Sequence, residues 1–230
     1  MKRFWKEVAV VAEGDGWTIQ LDGRPVKTPA RASLKMPTKA LAEAIADEWR
    51  GVGETLDPRA MPLTGLANAA IDRVAPDAQT FASGLARYAE ADLFCYRAEG
   101  PEKLVSRQEA KWDALLSWAR RRFDVDFGTT SGITHVHQPP ATVERLSHEV
   151  AALDAFRLAA LSPLVTISGS LVAALAVLEK AKTPDEAWSA VTVDDDWQRE
   201  QWGTDAEAEV ALENRRRDFM AAAQFLEYLD

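Results

Sequence analysis

Lys6-Glu7-Val8-Ala9-Val10-Val11-Ala12, then Gly14-Asp15-Gly16, Trp17-Thr18-Ile19-Gln20-Leu21 and Asp22-Gly23, is the stretch that decides the fold. The first run is β-prone, the run from Trp17 alternates with period two, and a glycine-containing turn follows each. This is the pattern of an antiparallel meander. Thr28-Pro29-Ala30-Arg31 reads as a loop, and Ser33-Leu34-Lys35-Met36 as a further short strand that Pro37 stops.

After Pro37 the period changes. Thr38 is a candidate N-cap, and Leu41, Ile45, Glu48 and Trp49 follow at helical spacing before Gly51. Helices are expected over 63–74, 77–93, 104–123, 142–161, 163–180, 184–191, 194–201 and 205–229, with Thr183 and Thr204 as caps. Trp112, Leu115, Leu116 and Ala119 mark the core face of the third of these. Residues 127–140, broken by Gly128, Gly132, Pro139 and Pro140, are irregular, with room for one short strand at Ile133-Thr134-His135-Val136. The expected class is α+β: a small N-terminal antiparallel β domain over 1–40 and a larger all-helical domain over 41–230. The boundary is soft, within 37–60.

The chain has 230 residues, 27 Lys+Arg against 36 Asp+Glu and a formal net charge of −9. That excess of acid argues against nonspecific nucleic-acid binding, which depends on basic patches. One cysteine, Cys95, cannot form an intramolecular disulfide and points to a reducing compartment. Lys6, Glu7 and Glu13 interrupt the N-terminal stretch too early for a signal peptide. Leu158–Leu178 carries no charge and has the length of a membrane span. Ser162-Pro163 and Thr166-Ile167-Ser168-Gly169-Ser170 lie inside it, however, so it reads as a buried helix pair with Pro163 in the first turn of the second helix.

Signals for chemistry are sparse. Gly51-Val52-Gly53-Glu54-Thr55 lacks the Gly-Lys-Ser/Thr ending of a phosphate loop, and Gly14 with Gly16 lacks the third glycine of a dinucleotide site. His135 and His137 alternate and could face one metal, with His148 and Glu144 or Glu149 completing the shell; this is the alternative reading, a metal-dependent enzyme. The competing reading is three histidines scattered over loops and helix surfaces. Cys95 lies in an apolar setting that raises a thiol pKa, as a structural cysteine does.

One segment stands out. From Asp194 to Glu209 there are seven acids, one base and two tryptophans. It reads either as a solvated helix face whose first acids complement the helix dipole, or as a docking surface where acids steer a basic partner and aromatics anchor it. Arg120-Arg121-Arg122 and Arg215-Arg216-Arg217 read as helix ends or partners for these acids.

Several ordered stretches resemble a known family: Arg3-Phe4-Trp5, Met61-Pro62-Leu63-Thr64-Gly65-Leu66-Ala67-Asn68, Asp92-Leu93-Phe94-Cys95-Tyr96-Arg97-Ala98-Glu99, Leu104-Val105 with Trp112-Asp113, and Gln198 with Trp202-Gly203. They look like the assembly chaperone of the ATP synthase catalytic head that handles its alpha subunit. The resemblance implies a non-enzymatic protein without cofactors. It would bind the unassembled alpha subunit transiently, shield it from aggregation and yield it to the beta subunit. Before Gln198 the family usually has glutamates, and this chain has Asp194, Asp195 and Asp196. These, with Glu200, Trp202 and Asp205, are the residues that on the resemblance contribute to alpha-subunit binding or hold the helices that do, while Trp49 reads as a core anchor. Eukaryotic relatives carry a mitochondrial presequence, and a bacterial cytoplasmic protein without stable membrane insertion is the expectation here.

Overall fold

The computed structural model describes residues 2–230. By compactness the chain divides into two units, one comprising the chain through Ala78 with Asp154–Ala160 and Ala221–Asp230, the other Gln79–Leu153 with Leu161–Met220. This division follows contacts and does not coincide with the change from strand to helix at 37–60.

In the first unit, β1 (Val8–Glu13) and β2 (Gly16–Leu21) pair antiparallel, with Val8 opposite Leu21 and Glu13 opposite Gly16. Gly16 cannot be replaced without movement, because a Cβ there would stand 2.7 Å from the Met36 carbonyl oxygen. Asp22 and Gly23 both have positive φ, 50° and 78°, as a type I′ turn requires. They return the chain into β3 (Arg24–Pro25). The Asp22 carboxylate accepts from the backbone N–H of Lys6 and Glu7, which hold its pKa below the usual carboxylate value. β4 (Lys35–Met36) also pairs with β2, so the expected strand at 33–36 forms over its last two residues.

α1 (Lys39–Arg50) is capped by Thr38, whose hydroxyl accepts from Leu41 N–H, and it packs Leu41, Ile45 and Trp49 against β1 and β2. The resembled motif Arg3-Phe4-Trp5 sits at its other end. Arg3 donates to the Val52 carbonyl at 2.6 Å, and the Trp5 and Trp49 rings lie 5.2 Å apart. Glu48 caps α2 (Pro62–Ala69), accepting from Leu63 N, Thr64 N and Thr64 Oγ1 at 2.7, 2.8 and 2.6 Å. Its burial nevertheless raises its pKa against the pull of those donors. The helix expected over 63–74 ends in a π turn, Ala70–Val74.

The second unit begins in α3 (Ala78–Ala86), and the helix expected to reach 93 stops there in a 3₁₀ turn, Arg87–Glu90. The reason is Asp92, which caps a second short turn, Leu93–Cys95, instead of continuing the helix. α4 (Glu102–Phe123) buries Trp112, Leu115, Leu116 and Ala119 as the periodicity requires, and the Trp112 indole donates to the Ala190 carbonyl at 2.7 Å. The short strand expected at Ile133–Val136 is displaced: β5 (Tyr96–Arg97) pairs in parallel with β6 (Thr130–Ser131). The helix expected over 142–161 is two: α5 (Pro140–Ala151) and α6 (Ala155–Ser168), separated by Asp154, whose carboxylate accepts from Phe156 N and Arg157 N.

The apolar run forms a helix pair, but its break falls elsewhere than expected. Pro163 lies inside α6, and the chain turns at Gly169, with φ of 68°, before α7 (Leu171–Leu178). Ser170 caps α7 by accepting from Ala173 N, and the first seven residues of α7 are buried. Among the described residues no helix is long and apolar enough to cross a membrane. α8 (Pro184–Val191) opens with a capping box between Thr183 and Glu186. α9 (Val193–Trp202) and α10 (Ala206–Glu227) complete the chain.

Candidate partner-binding site

The acidic segment forms α9 and the start of α10. Its three leading aspartates occupy the first turn of α9, where carboxylates complement the N-terminal dipole. None of the three is free. Asp194 accepts at 2.7 Å from Gln108 Nε2, and Gln108, itself buried, accepts from Ala98 N. Asp195 stands 3.8 Å from Arg215, and Asp196 pairs with Arg199. Glu200 is bound to Arg107 at 2.7 Å, and that bond holds its pKa below the ordinary value. Arg107 also lies over the Trp197 ring, 5.1 Å from its centroid, so α9 is clamped to α4. Asp205, and not Thr204, caps α10, accepting from Glu207 N at 2.9 Å; the aspartate places an acceptor directly before the first helical residue.

The tryptophan differs from these acids. Trp202 ends α9 with 78% of its surface exposed, while Trp197 on the same helix is buried. It stands between two hollows of the second unit. One, of about 400 Å³, runs between α9 and α10 and is lined by Asp205, Ala208, Leu212 and Arg215 among others. The other, of about 580 Å³, is an open groove whose apolar walls include Pro101, Leu104, Ile133, Trp197 and Trp202. Ile133 is fully exposed on the irregular segment after β6. An isoleucine and a tryptophan exposed along one groove are costly in water and are what a partner would cover.

Sequence reasoning put Ile133 at the start of a candidate strand and missed its exposure, and it missed the groove, which is assembled from segments a hundred residues apart in the chain. Arg97 also lines it. The Arg97 guanidinium pairs with Asp113 at 2.5 Å and stacks on Trp112, yet its Nη1 is buried without an acceptor. The structure brings His135 and His137 together, ring centroids 4.7 Å apart, with His135 Nδ1 3.0 Å from the Tyr96 hydroxyl. His148 lies on α5, and Glu149 there pairs with Arg145. Among the described residues no group of three or more His, Cys, Asp or Glu is placed to hold a metal ion. Cys95 is a buried free thiol whose pKa burial, seconded by the Asp92 charge, pushes up to about 12.

An exposed aromatic thus stands beside an open groove, on helices tied together by half-exposed ion pairs. Comparison with known proteins gives the chain a family: residues 2–120 match the model of the ATP12 chaperone protein, and the chain belongs to the ATP12 chaperone family. This is the ATP synthase assembly family that the sequence motifs resemble, and it is a chaperone family, not a catalytic one. The chain is 26% identical over 216 residues to protein atp12, mitochondrial, of Schizosaccharomyces pombe, covering 88% of this chain and 74% of that one. It is 41% identical to the crystal structure of Atp12 from Paracoccus denitrificans, with a TM-score of 0.95 over 100% of this chain and 98% of the other. A mutant of the Paracoccus denitrificans protein carrying lysine in place of an aspartate matches with the same identity, coverage and TM-score.

Proposed function

We propose that this chain binds the unassembled alpha subunit of ATP synthase and releases it to the beta subunit. The observation that carries the reading is the exposed Trp202 beside an open groove, in a chain of the ATP12 chaperone family. Shielding requires an interface that competes with the native neighbour, and a site of moderate size with one aromatic anchor suits an exchangeable complex.

The residues assigned to binding then divide by role. Trp202 contacts the client; Asp195, Asp196, Glu200 and Asp205 hold α9 and the start of α10 in place and lend the face its negative field; and Asp194, tied to Gln108, does both from the groove lining. A division of labour between 1–40 and 41–230 belongs to the same proposal, since every residue lining the groove lies beyond position 40. A cytoplasmic setting is part of it too, supported by the single free, buried thiol.

Co-expression with the alpha subunit of the same organism, followed by size-exclusion chromatography and addition of beta, tests the reading. A soluble complex that gives up alpha to beta is the expected result. Aggregated alpha beside free chaperone would overturn it.

A further inference from the structure

The groove beside Trp202 carries a more specific statement, which rests on the proposed client and says what that client must present. Its floor and walls are apolar where Leu104, Ile133, Trp197 and Trp202 line it, and its open volume of about 580 Å³ accommodates one or two large side chains. Its rim is acidic. Glu99 reaches the groove beside Gly132, where a Cβ would stand 2.9 Å from its Oε1. Glu99 is exposed and forms no ion pair with any described residue. Asp194 lines the groove and meets only the uncharged Gln108. The one base in the lining, Arg97, is already paired with Asp113.

We infer that the groove receives a short basic segment of the client chain, with an apolar side chain seated between Trp202 and Ile133 and flanking lysines or arginines set against Glu99 and Asp194. An uncharged apolar segment would leave those carboxylates unmatched at the edge of a dehydrated contact, and an acidic one would be repelled. A long basic side chain suits both parts of the site, because its methylene stem lies along apolar surface while its head stays at the wet rim.

Two measurements test this separately from the client's identity. In the first, full-length chain is applied to an array of short overlapping peptides covering the alpha and beta subunits. Peptides that combine Lys or Arg with a large apolar residue are expected to bind, and binding is expected to fall at least about tenfold in Trp202→Ala/Ile133→Ser, as for an exposed anchor pair. In the second, capture of whole alpha subunit is compared for the wild type, the same double variant, Glu99→Gln, and Phe4→Ser as a control at an exposed aromatic outside the groove. The anchor variant is expected to lose capture, the Gln variant to bind about two- to fivefold more weakly with a shallower salt dependence, and the control to bind normally. All the substituted side chains are exposed, and unchanged circular dichroism melts confirm that folding is intact. Bound peptides that are acidic or uncharged, or capture that survives the anchor variant, overturn the inference. Failure of the wild type to capture alpha overturns the proposed client instead, and the peptide array then still decides the chemistry of the groove.

Discussion

Asp92 has no exposed surface, and its carboxylate accepts from Ser170 Oγ at 2.8 Å, Val172 N at 2.9 Å and Phe94 N at 3.1 Å. One side chain therefore caps both the Leu93–Cys95 turn and α7, two elements far apart in the chain. Replacing it with alanine strands those donors in the interior, and we expect a loss of about 2–5 kcal/mol, measurable by urea denaturation. The pH dependence follows from the direction of its shift. Burial, acting against those hydrogen bonds, raises the folded pKa from 3.8 to about 6. The native state thus keeps a proton that the unfolded chain releases, so this group's contribution is most favourable below the unfolded pKa and declines as pH rises through the folded one. Stability should fall between about pH 4 and pH 6 on this account, and Asp92→Asn should flatten that part of the profile. A profile in Asp92→Asn as steep as in the wild type would show that other carboxylates set it. The residue lies in a stretch that carried the family resemblance, yet its spacing gave no hint of a buried cap, since the partners it serves begin at Ser170.

At the level of elements, the helix pair α6 and α7 shows what periodicity can and cannot locate. The uncharged run was legible as two helices, and α1, α4 and α8 stood where their apolar spacing and caps placed them. The break did not. Pro163 reads as a helix start because proline is well tolerated in a first turn, but the chain continues helically through it and stops at Gly169 and Ser170, where the positive φ and the Asp92 bonds are. Long-range capping decided the boundary, and long-range contacts are not written in local sequence. A proline in a helix interior removes one backbone hydrogen bond. Pro163→Ala should therefore stabilise the fold by about 1–2 kcal/mol after allowing for the looser unfolded chain, whereas Gly169→Ala should destabilise it by about 1 kcal/mol. Thermal melts of the two variants, shifted in opposite directions, would bear this out, and a shift of the same sign in both would refute it. α9 gives a parallel case. Its acids were legible as a cluster, but their engagement with Gln108, Arg107, Arg199 and Arg215 was not, so charge reversal at Asp194 should loosen α9 before it weakens any contact with a client. Hydrogen exchange of the α9 amides is expected to accelerate in Asp194→Lys and to stay unchanged in Trp202→Ala.

At the level of the whole molecule, the net charge of −9 acts on encounter more than on fold. The class of the fold was legible because a period-two stretch gives way to helical spacing near Pro37, and the acidic, aromatic character of the candidate site was legible in Asp194–Glu209. The groove was not, because its walls come from α4, α9 and the irregular segment after β6. A client segment rich in lysine or arginine would be drawn toward this face over distances comparable to the Debye length, about 10 Å at 0.1 M salt, and held afterwards by apolar contact. The two steps respond differently to ionic strength. Raising salt from about 0.05 to 0.5 M should slow association with the alpha subunit by about tenfold or more while changing dissociation little, and Trp202→Ala should do the reverse. Stopped-flow anisotropy of a dye-labelled alpha subunit reads both rates in the wild type and in Trp202→Ala alike. An association rate indifferent to salt would mean that the acidic field of this chain plays no part in finding its client, and a dissociation rate indifferent to Trp202 would move the anchor elsewhere on the surface.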